Sequence, residues 1–270
     1  MSRGSSSIAA KVAPPAVFGV LFLAVWELIV KGFDLKPYFL APPSKIWQKF
    51  TQNFDLIVES TKVSGTNALV GLLCGVLFGV VMSLVLSRFR LLNDLITPLA
   101  VALNAIPIFV LVAVLNNMFA ITSEVPRRVM VTLVVYFIVL VNVAKGLTQV
   151  STTHVELMNS YAASPTEILR KVRVPNAVPY LFTALKIAAP ASVITAFVSE
   201  YFGGSQNGLG SRIASNIANS KNAVAWAYVL GACLLGLTFY IVSTVLEGVA
   251  TPGGRKNTAN AATGKRLKAA

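Results

Sequence analysis

The chain has 270 residues, of which 55% are hydrophobic and 12% are charged, and its mean hydropathy is +0.71. These values exclude an ordinary soluble domain and are typical of a protein with several membrane spans. The net charge of +13 would suit nucleic acid, but the Lys and Arg residues lie in short loops and in the C-terminal tail. That distribution is typical of a membrane surface, so we predict no nucleic-acid partner. Cys74 and Cys233 lie in separate apolar runs without metal-ligand spacing, and no metal site is predicted.

Apolar runs predict six membrane-spanning helices. The predicted spans are 14–30, 63–86, 95–123, 129–143, 177–202 and 223–249. We expect one transmembrane domain over 13–250, between a cytoplasmic segment 1–12 and a basic cytoplasmic tail 251–270. Between the first two spans, Pro42-Pro43-Ser44 predicts the start of a short helix on the outer membrane surface. Packing of this helix against the spans is the alternative.

Small residues recur every four positions in the second span, at Gly71, Gly75 and Gly79. In lipid, such a row lets a second helix approach closely, so it predicts a tight helix pair. The third span contains Asn104 and Pro107. A proline inside a span frees a backbone carbonyl, which protein or a water-filled cavity must satisfy. Both residues are therefore candidates for a translocation path, and a kink packed wholly in protein is the alternative.

A polar, basic segment, residues 153–175, separates the fourth and fifth spans, and we call it the elbow. Thr153 with Glu156, and Ser164 with Glu167, each have the spacing of a capping box and predict two helix starts. Pro175 is expected to end the second helix. The elbow is therefore predicted to hold two short helices with a sharp corner at 162–164. The two glutamates could serve as caps alone, or the corner could dock against another protein.

The elbow resembles the cytoplasmic loop of the membrane subunits of binding-protein-dependent ABC importers. That loop reads E-A-A-x3-G-x9-I-x-L-P, and Glu156, Ala162, Val172, Val174 and Pro175 have the same spacing. The chain departs from the pattern in having Leu-Met after the glutamate and alanine in place of the glycine. Because alanine does not adopt positive φ cheaply, the corner is expected to differ there.

A second pattern, S-E-x7-G-L-G-x2-I at 199–213, resembles the importer branch that carries nitrate, sulfonates, taurine and small heterocyclic vitamin precursors. The run L-A-P-P-S at 40–44 resembles the same branch, whereas Asn67 stands where that branch often has arginine. Ser199, Glu200, Gly208 and Gly210 are further candidates for the path or for substrate. Glu200 could instead cap a helix or pair with Arg212.

The resemblance implies an all-α integral membrane protein with six transmembrane helices, of the type I ABC importer permease kind, with a cytoplasmic coupling elbow between the fourth and fifth. It implies a permease subunit in a bacterial plasma (inner) membrane, surrounded by lipid, with both termini cytoplasmic. The residues implied to couple to an ATP-binding subunit are Glu156, Ser160, Tyr161, Ala162, Ala163, Ser164, Val172, Val174 and Pro175.

The implied partners are two ATP-binding cassette subunits, a second permease subunit and an extracytoplasmic solute-binding protein. The chain has no G-x-x-x-x-G-K-[ST] loop, so ATP and Mg are expected on the partner, no cofactor on this chain, and no catalytic residues. A small anion or a neutral solute is expected as cargo. An ion-coupled secondary carrier is the alternative, but it would show paired inverted repeats or buried acidic residues for coupling, and the sequence shows neither, only Glu200 near the edge of a span. A membrane enzyme would need a catalytic cluster within the spans, and the sequence shows none.

Overall fold

The computed structural model describes residues 8–36, 39–89, 108–119, 123–203 and 207–250, with side chains from 13 and from 110 in the first and third ranges. All regular structure in these ranges is helical, as predicted. The α-helices are α1 Ile8–Gly32, α2 Pro43–Gln52, α3 Phe54–Arg88, α4 Ile108–Met118, α5 Val125–Thr148, α6 Thr152–Ser160, α7 Pro165–Ile168, α8 Val174–Phe202, α9 Leu209–Ala218 and α10 Asn222–Ala250. A π-helical turn, Leu169–Arg173, joins α7 to α8.

Five helical segments in the described ranges are long and apolar enough to cross a membrane: α1 from Ala13, α3, α5, the continuous rod Pro165–Phe202, and α10. They correspond to five of the six predicted spans. Of the predicted third span, the structure describes α4 and little else, and Asn104 and Pro107 lie outside the described residues. The described residues therefore contain five candidate spans, against the six predicted.

The second span is longer than its apolar run. It was predicted to begin at residue 63, but α3 begins at Phe54. Ile57, Ser60 and Ser64 are all buried and lie three or four residues apart, so the inward-facing side of the helix continues beyond the apolar run. The prediction missed these turns because Asp55, Glu59 and Lys62 lower the local hydropathy without interrupting the helix.

The glycine row of α3 packs directly on α5. Gly71, Gly75 and Gly79 face Val131, Val135 and Val139, in that order. A Cβ built on Gly75 would lie only 2.6 Å from the Cβ of Val135, so the two backbones approach too closely for any side chain at this position. Because the paired residue numbers rise together, α3 and α5 run parallel.

The remaining long helices define two ends of the bundle. Gly146, late in α5, touches Ala177, early in α8, so α8 runs antiparallel to α5. Gly65 of α3 faces Leu235 of α10. We call the end that holds α2, α9 and the first turns of α3, α5 and α10 the α2 end. The opposite end, which holds α6, α7 and the last turns of α3 and α5, is the elbow end.

Candidate functional site

The first elbow helix starts without the predicted capping box. Its N-cap is Ser151, which makes no side-chain capping hydrogen bond, and Thr153 is the second helical residue. The pairing of Thr153 with Glu156 was therefore wrong. The T-x-x-E spacing starts at the second helical residue, two positions after the N-cap. The Thr153 side chain is therefore not placed to accept from the first N–H groups of the helix.

The corner itself is a helix-ending motif built on a left-handed alanine. Ala162 has φ of 54°. Its N–H donates to the carbonyl of Asn159 at 2.9 Å, and the Ala163 N–H donates to the carbonyl of Met158 at 3.0 Å. These two bonds are the Schellman arrangement, in which glycine usually occupies the left-handed position. The expectation that alanine would exclude this conformation was wrong: the two bonds hold it, at a conformational cost of about 1–2 kcal/mol.

The second elbow helix begins with a complete capping box. The Ser164 hydroxyl accepts from the Glu167 N–H at 3.3 Å, and the Glu167 carboxylate accepts from the Ser164 N–H at 2.9 Å. Pro165 occupies the first helical position, where its missing N–H costs no hydrogen bond. The box fixes the direction in which the chain leaves the corner.

Pro175 does not end this helix, contrary to prediction. The chain passes from α7 through the π-helical turn directly into α8, which begins at Val174 and contains Pro175 in its first turn. The Val174 N–H reaches back five residues, to the carbonyl of Leu169. A regular α-helix would press the Pro175 ring against the backbone carbonyl four residues earlier. The wider π-helical turn gives the ring room. Val172, Val174 and Pro175 thus lie on one rod that runs from the corner into the membrane.

The corner is an exposed surface. No residue of α6 is buried, and the Tyr161 ring is 77% exposed. Glu156, Ser160, Ala162 and Ser164 are exposed, and Ala163 is half-buried. Behind the corner, a cavity of about 260 Å³ separates it from the end of α3 and is lined by Arg88 and Arg173 among others. Because the exposed corner is continuous with the rod Pro165–Phe202, a partner bound there would contact one end of the helix that includes α8.

The second candidate set surrounds Glu200 at the α2 end. Glu200 is fully buried, where the sequence placed it at the edge of a span. Its Oε2 accepts from the Ser64 hydroxyl at 2.7 Å and from the Gly210 N–H at 3.1 Å. Ser64 also accepts from the Leu209 N–H at 2.9 Å. Glu200 thus caps a helix, which was one of the two structural alternatives. The other was a pair with Arg212, which is not among the hydrogen-bond partners of Glu200 in the described residues.

These bonds replace a missing cap. The N-cap of α9 is Gly208, which has no side chain to accept from the first N–H groups of the helix. Ser64 of α3 and Glu200 of α8 supply the acceptors instead, and the carboxylate also faces the positive end of the helix dipole. A Cβ on Gly208 would collide with the Glu200 carboxylate, so the close approach requires glycine.

The structure brings Ser199, Glu200, Gly208 and Gly210 together, but it describes no open path beside them. Glu200 Oε1 and the Ser199 hydroxyl are buried without a hydrogen-bond partner among the described residues. Two buried polar atoms therefore keep free hydrogen-bonding capacity next to the capped helix.

Sequence reasoning missed a buried charge network nearby. Arg127, which lies outside the predicted fourth span (129–143), is 1% exposed and pairs with Glu124, the N-cap of α5. The Asn67 amide donates to Glu124 at 2.6 Å, and Arg128 Nε donates to the Asn67 carbonyl oxygen at 3.1 Å. The spacing of three residues between Glu124 and Arg127 was the available signal, because such a pair shares one face of a helix. Asn67, noted only as a departure from the related branch, joins the network.

Comparison with known proteins identifies the family. Residues 75–253 match the family described as the binding-protein-dependent transport system inner membrane component. A probable ABC transporter permease protein of Haemophilus influenzae is 29% identical over 197 residues, covering 73% of this chain and 79% of that protein. The formylaminopyrimidine transport permease protein ThiX of Halalkalibacterium halodurans is 27% identical over 248 residues, covering 90% and 96%. A bicarbonate transport system permease protein of Synechocystis is 23% identical and covers 64% and 66%.

The fold has a solved counterpart. A chain of the MetNI methionine ABC transporter, in an inward-facing conformation, superposes with a TM-score of 0.63 at 18% identity, covering 73% of this chain and 97% of that one. This likeness shows that the helical bundle shares the fold of that transporter chain. With the match over residues 75–253, the chain belongs to the family of inner membrane components of binding-protein-dependent transport systems, and it is an ABC transporter permease.

Proposed function

We propose that this chain is the permease subunit of an ATP-driven importer and that its elbow receives the ATP-binding subunit. The observation that carries the proposal is the continuity between the exposed corner and α8. Tyr161 and Ala162 project outward, and Ser164 starts a rod that is helical to Phe202. Closure of a nucleotide-bound partner against the corner would then move α8 as a rigid body.

We propose further that the chain crosses the membrane six times, with the elbow end in the cytoplasm. The parallel packing of α3 and α5 supports this, because the connection that contains α4 must return from the elbow end to the α2 end. Arg88, Arg170, Lys171 and Arg173 at the elbow end, with the basic terminal segments, agree with cytoplasmic placement.

The proposed cargo is a small solute delivered by an external binding protein, either an anion such as nitrate or a sulfonate or a heterocyclic vitamin precursor. The names of the ThiX and bicarbonate relatives support a small solute of this kind, but they do not identify which one this chain carries. Ser199 and Glu200, with Asn104 and Pro107, are the residues proposed for the path. The buried Ser199 hydroxyl and Glu200 Oε1 have no hydrogen-bond partner among the described residues, which supports contact with a solute that has hydrogen-bond donors, as a heterocyclic precursor does and nitrate does not. Two ATP-binding subunits with ATP and Mg, and a second permease subunit, complete the proposed assembly.

The test is co-purification from native membranes in mild detergent, followed by an ATPase assay. We expect the wild type to retain an ATP-hydrolysing partner, and Ala162→Trp to lose it or to separate hydrolysis from transport. Asp34→Trp is the matched control, because Asp34 also has a left-handed backbone (φ of 47°) after a helix, but at the α2 end. A wild-type chain that purifies alone while solute uptake follows an ion gradient would favour the carrier alternative. Equal loss of the ATP-hydrolysing partner in both variants would contradict the proposed role of the elbow.

A further inference from the structure

An open basic cleft lies at the α2 end, between α2 and the turn that joins α9 to α10. Its volume is about 510 Å³. The lining residues are Lys45, Lys49, Gln52, Asn53, Ser220, Lys221, Asn222, Ala223 and Val224. The cleft therefore brings together two lysines from one element and a third from another that is far along the chain.

The three lysines are not neutralised by a carboxylate of the cleft. None of its lining residues is acidic. Within the described ranges, Lys49 Nζ donates to the Gln52 amide oxygen at 2.9 Å, and the ion pairs of the chain involve other lysines. Three ammonium groups around one concave site repel each other, so an anion that bridges them is favoured.

An apolar groove adjoins the basic cleft. Its volume is about 200 Å³, and it lies between α9 and α10, lined by Ile213, Ile217, Asn222, Ala225, Trp226 and Val229. Asn222 lines both sites, so the polar cleft and the apolar groove meet at one residue. A ligand that occupies both must have an anionic group joined to a hydrocarbon chain.

The surroundings match the membrane interface. α10 begins at Asn222 and continues as an apolar span, which places the cleft where the hydrocarbon region ends. On α2, Ile46 and Phe50 face the protein, whereas Trp47 is 61% exposed. A tryptophan beside lysines on a short amphipathic helix is typical of the headgroup level of a bilayer.

We propose that the cleft and groove together bind one anionic phospholipid, with its phosphate among Lys45, Lys49 and Lys221 and an acyl chain along the groove. The proposal depends on insertion of the chain in a membrane and on neither the identity of the solute nor the role of the elbow. Lipid is favoured over free phosphate, which has no apolar part to fill the groove, and over an acidic protein because the cleft and groove lie at the end of an apolar span.

The test compares lipids on the delipidated chain or its complex in detergent, by native mass spectrometry and by the shift in Tm. We expect phosphatidylglycerol to bind and to raise the Tm, while phosphatidylcholine and inorganic phosphate at equal concentration do not. Lys45→Gln, Lys49→Gln and Lys221→Gln should each weaken phosphatidylglycerol binding about five-fold, and together about a hundred-fold. Ile217→Gln should weaken a long-chain lipid more than a short-chain one, because it places an amide in the groove.

The control removes the same charge elsewhere, in a triple variant with Lys36→Gln, Lys62→Gln and Lys145→Gln, whose lysines lie outside the cleft. It should bind phosphatidylglycerol as the wild type does. Equal weakening by the control would mean general charge attraction and would overturn the proposal. So would an equal response to phosphatidylcholine, or a phosphate response as large as the lipid response, which would indicate a free-anion site. Loss of a co-purifying acidic protein, with lipid binding unchanged, would identify a protein surface instead.

Discussion

The carboxylate of Glu200 accepts a hydrogen bond of 2.7 Å from the hydroxyl of Ser64, although 136 residues separate the two in sequence. The same carboxylate oxygen accepts from the Gly210 N–H. One buried acidic side chain thus joins α3, α8 and α9 at the α2 end. This relationship explains why α9 begins at a glycine without losing its cap.

We predict that Glu200→Ala lowers the free energy of unfolding by about 1–3 kcal/mol, because it leaves the Gly210 N–H buried without an acceptor. Glu200→Gln should lose less, since its amide oxygen can still accept. The measurement is the unfolding midpoint in detergent. Ser64→Ala completes a double-mutant cycle, in which the combined loss should be smaller than the sum of the two single losses. Strict additivity would show that the two residues do not stabilise α9 together.

The close approach of α3 and α5 gives a second prediction. Gly75→Ala should weaken the helix pair, because its Cβ would meet both Val135 and the carbonyl of Thr132, at 2.8 Å. Overpacking of this kind costs about 1–3 kcal/mol. Gly236→Ala in α10 is the matched control, because nothing lies within 4 Å of the added carbon. Comparing the thermal unfolding of both variants checks the prediction, and equal Tm values would contradict it.

Two features set by local sequence were predicted correctly, although the Thr153 capping box and the helix end at Pro175, which are also local, were not. Features set by distant contacts were missed. The four-residue glycine row and the Ser164 capping box each occupy a few neighbouring positions, and both were read correctly from spacing. The burial of Arg127 and the partners of Glu200 depend on helices that are distant in the chain, so hydropathy placed Arg127 outside the fourth span and Glu200 at the edge of the fifth. The left-handed Ala162 was missed because its local preference opposes the fold, and only the two corner hydrogen bonds outweigh that preference.

Ala162→Gly should therefore stabilise the elbow. Glycine adopts the observed φ of 54° without the steric cost that alanine pays, a difference of about 1 kcal/mol. We expect slower hydrogen exchange of the Ala163 amide and slower proteolysis at Tyr161, with no change in the spans. Ala163→Gly, one residue later and outside the left-handed region, is the control and should give no such protection. Faster exchange in the Ala162→Gly variant would contradict this prediction, because relief of alanine's steric cost should only strengthen the two corner bonds.

An ion pair between two spans gives the last prediction. Lys186 of α8 pairs with Glu247 of α10 at 2.8 Å. Lys186→Met leaves a carboxylate without this cation among apolar helices, and we expect a loss of about 1–2 kcal/mol in the unfolding free energy. Adding Glu247→Met should restore much of that loss, because the carboxylate that lost this cation is removed as well.

The comparison pair lies in the same protein. Lys171 and Glu167 form a Lys–Glu pair in the exposed elbow, where water and salt screen the attraction. A double-mutant cycle on each pair, measured as detergent unfolding midpoints at low and high salt, separates the two environments. The coupling between Lys186 and Glu247 should be the larger of the two and should persist in high salt. If both couplings were equally small and both disappeared with salt, the span pair would be solvated, and it would not hold α8 against α10.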